Sequence, residues 1–360
     1  MKYIVPDYSF PQDAHQVVEN ADYSALDAIY AGKTVRYGDF HAHAATGGTS
    51  DGKTTLSDWL DQMPGLGLDF IGVMDHRQVR HMYLDEFTTE HFLCGSEPAG
   101  FWLDPYLESH YLMLFPRKGM LEQVLEKFPE LFEFTGGNEG HFEYIRMSFA
   151  DFLKIKDAVM EIGGMFVNAH PKQVIKSDDL SMFYFGEGTA NEIIYCAKYD
   201  DVLNPHTIDN YKVWTALLAE GKKIYNTATA DCHHQPKNFG MNCVYTKRGE
   251  CEDIVNALRA GNLNSGCVAV KMALDDAPMG SMTASGKVLT VKIDDANEIA
   301  FDKAKNCRVD IHSDRGIAYS APLTFPFACA IEVKDRKFYR VEVLDEETGA
   351  PMAIGNPIWL

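Results

Sequence analysis

The sequence predicts an α/β protein, a distorted β/α barrel followed by a small antiparallel β domain, and two patterns support this fold class. Over the first two-thirds of the chain, short apolar segments alternate with helical patterns, as in a parallel sheet flanked by helices. After Gly266, segments of alternating polarity are separated by Gly, Asp and Pro turns, which favours antiparallel strands. We therefore predict two domains, 1–267 and 268–360, in this chain of 360 residues.

The individual elements follow from the hydrophobic period of each segment. In the first domain, strands are expected at 35–41, 70–75, 91–97, 110–115, 165–170, 192–196, 224–231 and 242–246, and helices at 148–162 and 210–220. In the second domain, strands are expected at 288–293, 328–333 and 338–344. The second domain carries no motif that indicates chemistry, so we predict a role in packing or in forming a homo-oligomer.

Composition and charge narrow the class of protein. The formal net charge of -19 at pH 7 repels phosphate backbones and anionic lipids, so we expect neither nucleic acid nor a membrane as partner. The N-terminus lacks the apolar run of a signal peptide, and no stretch reaches the roughly 18 apolar residues of a spanning helix, which predicts a cytoplasmic protein. The eight cysteines lie scattered without a CxxC pair, which indicates buried, reduced thiols.

Histidines and carboxylates recur at the C-terminal ends of the predicted strands, where a β/α barrel forms its active site. They stand in Asp39-Phe40-His41-Ala42-His43, Asp75-His76, Glu97, His170 and Asp231-Cys232-His233. Side chains at i and i+2 of an extended chain point to the same side, so His41 and His43 can reach one metal cluster while Cys232 points away. Taken singly, these motifs are equally typical of helix caps, surface turns or core histidines. Their joint occurrence predicts a polynuclear metal site.

The same motifs resemble a family of metal-dependent hydrolases, the polymerase and histidinol phosphatase (PHP) domains. The resemblance runs from about Tyr37 to Gly261 and rests on Gly-Asp-Phe-His-Ala-His at 38–43 with Ser50-Asp51-Gly52, the segment 67–76, Gly95-Ser96-Glu97, His110, Ala169-His170-Pro171 and Asp231-Cys232-His233. It implies a distorted (β/α)7 barrel. The segment 245–261 and the closing Asn356-Pro357-Ile358 are most similar to the branch that contains carbaryl hydrolase, whose members carry a similar β appendage.

Carried over residue by residue, the resemblance implies nine metal ligands for two or three divalent ions. They are His41, His43, Asp51, His76, Glu97, His110, His170, Asp231 and His233. Glu97 would bridge the group of His41, His43 and Asp231 to the group of His110 and His170, and the remaining three would hold a third ion. The loop before Asp51 is three residues longer than in the family pattern, and Glu108 could compete with His110. Zn, Mn and Fe all accept such ligands, so the sequence does not choose among them.

The catalytic nucleophile expected from such a centre is a metal-bound hydroxide, formed from water between the ions. Asp39 and Asp75 stand beside proposed ligands and are expected to orient imidazoles or to structure the turns. The side chains of Arg77, Lys172 and His234 are candidates to contact a phosphate or carboxylate of the substrate, or are solvated rim charges. Glu192 either faces the pocket or takes a capping or salt-bridge role.

The function that follows is a metal-dependent hydrolase, a phosphoesterase acting on a small phosphorylated molecule. The same cluster could instead hydrolyse a carboxylic or carbamate ester. Amidohydrolases also begin with HxH, but the terminal Asp-x-His, and Asp-His one βα unit after HxH, argue against them. A non-catalytic, metal-stabilised binding module is the alternative from a different class.

Overall fold

The computed structural model describes residues 11–103, 106–135, 140–144 and 147–360, which form a mixed α/β structure. Its α-helices are α1 Ser24–Tyr30, α2 Leu56–Leu66, α3 Met120–Lys127, α4 Phe149–Glu161, α5 Pro171–Val174, α6 Pro205–Ala219 and α7 Cys251–Arg259, with 3-10 turns at Arg80–Tyr83 and Leu180–Phe183. Its strands are β1 Thr34–Ala42, β2 Phe70–Val73, β3 Phe92–Ser96, β4 Ala99–Leu103, β5 Tyr106–Phe115, β6 Phe132–Thr135, β7 His141–Tyr144, β8 Met165–Ala169, β9 Ala190–Tyr195, β10 Tyr225–Thr229, β11 Asn242–Thr246, β12 Leu263–Gly266, β13 Val268–Leu274, β14 Ala277–Pro278, β15 Val288–Ala296, β16 Cys307–Ser313, β17 Gly316–Pro322, β18 Phe327–Glu332, β19 Phe338–Asp345, β20 Pro351–Gly355 and β21 Ile358–Trp359.

The strands predicted from hydrophobic period are confirmed, with ends shifted by a few residues. Helix α4 is also confirmed, and it begins after Ser148 because the Ser148 hydroxyl and the Asp151 carboxylate form a capping box. Helix α6 starts earlier than predicted. The Asn204 side chain accepts hydrogen bonds from the backbone N–H groups of His206 and Thr207, and Pro205 occupies the first turn, so the helix begins there rather than at 210.

The largest sheet has the strand order β10-β9-β8-β5-β3-β2-β1-β11-β12-β20-β19-β16-β17. Parallel ladders join β1 to β2, β2 to β3, β8 to β9 and β9 to β10, as the sequence predicts. Strand β5 is the exception, because it pairs antiparallel with both β3 and β8. The chain reaches β5 through the adjacent strand β4, and this connection is too short for the crossover that a parallel strand needs.

A closed (β/α)7 barrel is not confirmed, since strand β10 ends the sheet instead of forming a ladder with β1. The two strands nevertheless lie side by side at the end where the motifs stand. An isolated parallel bridge joins Ala42 to Cys232, and the His43 N–H donates to the Cys232 carbonyl at 2.9 Å. The described strands therefore form an open sheet whose first and last parallel strands meet at this one end.

The C-terminal strands are antiparallel, as predicted, but they extend the large sheet. Strand β12 pairs with β20, and β19, β16 and β17 continue from it, while β14, β13, β15 and β18 form a second sheet. Apolar side chains form one core cluster around the parallel strands and another among the C-terminal strands. Hydrogen bonds between strands cross the predicted boundary between 1–267 and 268–360, so the sheet does not divide there. This boundary stays a prediction.

Two other features are the apolarity of the helices and the state of the cysteines. Among the described residues, no helix combines the length and apolarity needed to cross a bilayer. All eight cysteines are free thiols, and seven of them are buried while Cys267 is partly exposed. The prediction of unpaired, mostly buried cysteines is confirmed.

The segment after residue 10 is fastened to the C-terminal strands by an ion pair that predicts a pH effect. The Asp13 carboxylate accepts a hydrogen bond from Arg336 Nε at 2.7 Å, and this guanidinium holds the pKa of Asp13 well below its usual range. A lowered folded-state pKa means that the carboxylate stabilises the fold above pH of about 4, and that this contribution is lost as the pH falls through the folded-state pKa. We expect Asp13→Asn to lower the free energy of unfolding at pH 7, with the difference from wild type shrinking below pH of about 4. Urea unfolding of both proteins at several pH values measures this, and a difference independent of pH would contradict it.

Candidate metal centre

The side chains singled out as ligands converge at one end of the parallel strands. His41 and His43 lie at and just after the end of β1, His76 follows β2, Glu97 follows β3, His170 follows β8, and Asp231 and His233 follow β10. His110 lies within β5, opposite Ala169 of β8. Because β5 runs antiparallel, this part of the strand lies at the same edge as the C-terminal ends of its parallel neighbours. The antiparallel direction of β5 therefore places His110 beside the other predicted ligands.

The first group of potential ligands contains His41, His43, Glu97 and Asp231, all of them buried. Its donor atoms lie close together: His41 Nε2 is 3.0 Å from Glu97 Oε2, and His43 Nε2 is 3.2 Å from Asp231 Oδ1. The Nε2 atoms of the two histidines are 3.2 Å apart. These nitrogens and carboxylate oxygens surround one point, as the ligands of a cation do.

The second group shares Glu97 with the first and adds His110 and His170. Glu97 Oε1 lies 2.9 Å from His110 Nδ1 and 3.2 Å from His170 Nε2, while its other oxygen faces the first group. Glu108 lies farther from the ring of His110, with Oε1 3.5 Å from Nε2, and its side chain is 46% exposed. Glu97 therefore stands between two groups in the manner of a bridging carboxylate.

The third group contains His43, Asp51, His76 and His233 and is more open to solvent. His233 Nε2 is 3.4 Å from Asp51 Oδ2, and His76 Nε2 is 3.7 Å from Asp51 Oδ1. The side chain of Asp51 is 54% exposed. The long loop before Asp51 thus still brings this carboxylate to the two histidines.

The donor set fits divalent metal ions. Asp231 is buried, and its Oδ1 has no hydrogen-bond donor of suitable geometry among the described residues although His43 Nε2 lies 3.2 Å away, so a cation between the two atoms would satisfy this oxygen. Each of these three groups, and a fourth formed by His41, His170 and Glu192, offers imidazole nitrogens and carboxylate oxygens whose ligand atoms lie within 4.8 Å of one another. Zn, Mn and Fe all bind such mixtures. The grouping matches the ligand sets that the resemblance implies, although the role of each residue as a ligand stays a prediction.

The electrostatics of the first group favour positive charge. Burial lowers the pKa of His41, but the carboxylates of Glu97, Glu192 and Asp231 outweigh it and hold this pKa well above its ordinary value. For His43, burial is likewise outweighed by Asp231 and Glu97, which raise its pKa to about 10. Burial raises the pKa of Glu97, but the neighbouring imidazolium charges of His41 and His110 outweigh burial and hold this pKa well below its ordinary value. A field that retains protons on these rings also attracts metal cations in their place.

The expectation that Asp39 and Asp75 structure the turns agrees with their contacts. Asp39 accepts hydrogen bonds from the backbone N–H groups of His41 at 2.9 Å and Ala230 at 2.7 Å, and so ties β1 to β10. Burial raises the pKa of Asp39 to about 7. Asp75 accepts from the Ala44 N–H at 2.8 Å and fixes the segment that follows His43.

The backbone is strained at two of the proposed ligands. His170 has φ of 30° and Asp231 has φ of 44°, both in the left-handed region that side chains other than glycine rarely adopt. The Asp231 N–H donates to the Thr229 hydroxyl at 2.8 Å. The His170 N–H donates to Glu192 Oε2 at 2.8 Å. These hydrogen bonds hold the turns that aim both side chains into the cluster.

Tyr195 was not identified as a site residue from the sequence, and for Glu192 a position facing the pocket was one of two alternatives. The Tyr195 hydroxyl donates to Asp231 Oδ2 at 3.1 Å, and Glu192 Oε1 lies 2.9 Å from His41 Nδ1. Three positions apart on a regular strand, they would point to opposite faces. The ladder of β9 with β10 pairs Glu192 with Thr227 and Ile194 with Ala228, so a bulge at this point lets both side chains face the cluster.

A cavity of about 480 Å³ opens above the cluster. Its lining combines proposed ligands with polar and cationic side chains: Asp51, His76, Glu97, His110, His170, Gln173, Tyr195, Ala197, Lys198, Asp231, Cys232, His233, His234, Gln235 and Lys237. His234, one of the predicted substrate contacts, is part of this wall. Cys232 also borders the cavity but belongs to none of the groups of potential ligands.

The other two predicted substrate contacts are placed differently. Lys172 Nζ donates to the Ser177 carbonyl at 2.8 Å and lies over the ring of Phe183. Arg77 has φ of 50°, and its carbonyl accepts a hydrogen bond from the Phe142 N–H at 2.8 Å. Lys198 and Lys237 are the lysines that line the cavity, and Lys237 Nζ is 2.8 Å from Asp200 Oδ1. Whether any of these cations contacts a substrate stays a prediction.

Comparison with known proteins gives no close relative. No protein-family model matches the chain, and no curated protein matches it. Similar solved structures include a provisionally assigned metal-dependent phosphoesterase from Bifidobacterium adolescentis (16% identity, TM-score 0.36, 54% of this chain and 87% of the other). An amidohydrolase from Chromobacterium violaceum has 15% identity and a TM-score of 0.37, over 56% of this chain and 89% of the other. At such identities and TM-scores the family is not established, so the PHP resemblance and its carbaryl hydrolase branch remain predictions.

One further similar structure corrects an expectation about partners. Endonuclease Q in complex with a 27-mer duplex substrate has 12% identity and a TM-score of 0.38, and the match spans 63% of this chain and 57% of that chain. The expectation that nucleic acid is excluded is therefore wrong. It rested on the formal charge of -19, which counts the whole chain and takes no account of local cations such as Lys198 and Lys237 at the cavity.

Proposed function

We propose that this protein is a metal-dependent hydrolase that cleaves a phosphoester in the cavity above the cluster. The observation that carries the proposal is the set of adjoining groups of imidazole and carboxylate donors, in which the first and second groups share Glu97 and several members line a cavity of about 480 Å³. A volume of this order is typical of sites for small molecules. A small phosphorylated molecule is therefore the substrate class we favour.

In this proposal, the nine predicted ligands would hold two or three divalent ions. Such ions generate a nucleophile from water at neutral pH and stabilise negative charge in the transition state. The chain's own groups position the centre. Tyr195 donates to Asp231 and leaves the other oxygen of that carboxylate directed at the first group. The Asp39 and Asp75 carboxylates hold the backbone around His41 and His43.

The cations around the cavity favour an anionic substrate over a neutral one. Lys198 and Lys237, beside the imidazole of His234, line a cavity whose other lining residues include the carboxylates of Asp51, Glu97 and Asp231. Positive groups at this rim attract phosphate oxygens and orient them towards the cluster. A carboxylic or carbamate ester, the alternative substrate class, needs no such charge.

The first test is metal content per chain, measured by elemental analysis on protein purified without chelator. We expect two or three equivalents of transition metal, and the variant His41→Ala, His43→Ala to hold fewer. Loaded protein is then assayed on aryl phosphates, aryl phosphodiesters, aryl carboxylic esters and carbamates, and a duplex oligonucleotide with an abasic site.

The substrate panel separates the alternatives. Cleavage of phosphoesters that is lost with chelator supports the proposal, and preference for the oligonucleotide would assign a nucleic-acid substrate to the same centre. Turnover of carboxyl or carbamate esters alone would overturn the phosphoesterase assignment. A folded wild-type protein that binds no metal would contradict the centre itself, and a loaded protein that is inert on the whole panel would favour a metal-stabilised binding module.

A further inference from the structure

Glu192 is a buried carboxylate that no part of the proposed ligand set uses. It lies on β9 with its side chain fully shielded from solvent. Its two oxygens contact different partners: Oε1 is 2.9 Å from His41 Nδ1, and Oε2 accepts the His170 N–H at 2.8 Å. His41 belongs to the first group of donors and His170 to the second. Glu192 thus contacts one histidine of each group without belonging to the proposed ligand set.

The direction of each hydrogen bond is fixed by chemistry. A backbone N–H can only donate, so Oε2 must be the acceptor from His170. An ionised carboxylate can only accept, so Nδ1 of His41 must carry a proton and donate to Oε1. With its proton on Nδ1, a neutral His41 has its lone pair on Nε2, the atom that faces Glu97 at 3.0 Å and Asp231 at 3.4 Å. A carboxylate that accepts a hydrogen bond from the other ring nitrogen of a histidine ligand orients the ring and raises its basicity.

We propose that Glu192 is a positioning residue that selects the metal-binding tautomer of His41 and, through the same carboxylate, holds His170 in its left-handed turn. This inference rests on the proposed function, because it assigns Glu192 a role towards metal ions. The bulge of β9 after Glu192 is the backbone feature that aims this side chain at the two histidines. Glu192 itself is not among the residues that line the cavity, so it acts on the site through His41 and His170.

Glu192→Gln isolates this role, since it keeps the size of the side chain and changes only its hydrogen-bonding capacity. The amide oxygen must accept from the His170 N–H, which leaves the amide NH2 facing His41 Nδ1. Because two donors cannot pair, Nδ1 must become the acceptor, and a neutral ring then carries its proton on Nε2, where no metal can bind. The first group is therefore expected to lose its ion while the second and third groups keep theirs.

The measurements are zinc stoichiometry and zinc affinity, by competition with a chromophoric chelator, for wild type, Glu192→Gln, His41→Ala and the double variant. We expect Glu192→Gln to weaken one zinc equivalent by about 10–100-fold. In the His41→Ala background the same change should add no further loss, because its effect acts through that ring. Glu187→Gln, at a half-exposed glutamate near Lys223, is the matched control and should bind zinc as wild type does.

Failure of the positioning role can be distinguished from failure of the proposed metal centre. If wild type binds zinc and Glu192→Gln binds it equally well, the positioning role is wrong while the metal centre stands. Additive losses in the double variant would also overturn it. If wild type binds no zinc, both proposals fail. Should Glu192→Gln not fold, ring ¹⁵N shifts of zinc-loaded wild type decide the matter: a proton on Nδ1 of His41 supports the role, and a zinc ion on Nδ1 overturns it.

Discussion

Replacing Glu97 by Gln is expected to remove at least one metal ion and to lower the proposed phosphoesterase activity by more than about a hundredfold. Substituting a residue that only hydrogen-bonds to a metal ligand already lowers metal affinity or activity by about 10–100-fold, so the loss of a ligand itself should exceed this range. Glu97 is buried, with Oε1 beside His110 and His170 and Oε2 beside His41, His43 and His76. An amide can offer only one oxygen, so it cannot serve the first and second groups together. Elemental analysis and initial rates on an aryl phosphate measure both effects.

The control for this experiment is Glu108→Gln, the same chemical change at the other carboxylate that faces His110. Its Oε1 lies 3.5 Å from His110 Nε2, and its side chain is 46% exposed. We expect metal content close to wild type. Equal losses in the two variants would show that Glu97 is not a bridge, and a larger loss in Glu108→Gln would move the ligand role to that residue.

Arg340→Met is expected to lower the free energy of unfolding by about 3–5 kcal/mol, because it leaves a buried charge without its partner. Arg340 and Glu342 lie on β19, both buried, and Glu342 Oε1 is 2.8 Å from both Nε and Nη2 of the guanidinium. Nη2 also donates to the Tyr211 hydroxyl at 2.8 Å, and the guanidinium lies 4.8 Å from the ring centroid of Trp214. Chemical unfolding at neutral pH measures the change.

The double variant Arg340→Met, Glu342→Leu tests the cause of this loss. Replacing both charges by apolar groups of similar volume removes the buried carboxylate that has lost its cation, so the double variant should be more stable than Arg340→Met alone. An equal or greater loss would show that packing rather than charge is responsible. Tyr211 and Trp214 belong to helix α6. Their contacts with Arg340 therefore join the C-terminal strands to the part of the chain that carries the candidate metal centre. The packing role predicted for those strands stays a prediction.

Prediction from the sequence was most successful where the signal is local. Strand β1 and the strands that follow it are short apolar runs, and hydrophobic period located them to within a few residues. His41 and His43, Asp75 and His76, and Asp231 and His233 stand at the ends of those runs, so their convergence follows from strand direction alone. Their metal-binding role remains to be measured.

Prediction was less successful where the geometry depends on pairing between strands. The hairpin that turns β5 antiparallel explains why His110, early in its predicted strand, still reaches the cluster. The bulge in β9 depends on the register with β10, and only this bulge turns Glu192 and Tyr195 to the same side. Hydrophobic period carries no information on either feature, because a slip of one residue leaves the apolar pattern of a fully buried strand unchanged.

The sequence by itself thus determined the α/β class, the positions of the strands and the candidate ligands, because each depends on neighbouring residues along the chain. The tertiary structure decided the rest: an open sheet shared with the C-terminal strands, the Arg340–Glu342 pair, and the buried carboxylate of Glu192 behind His41. Those features join residues far apart in sequence. Which distant strands pair, and in which register, is set by the packing of the whole core rather than by any local pattern.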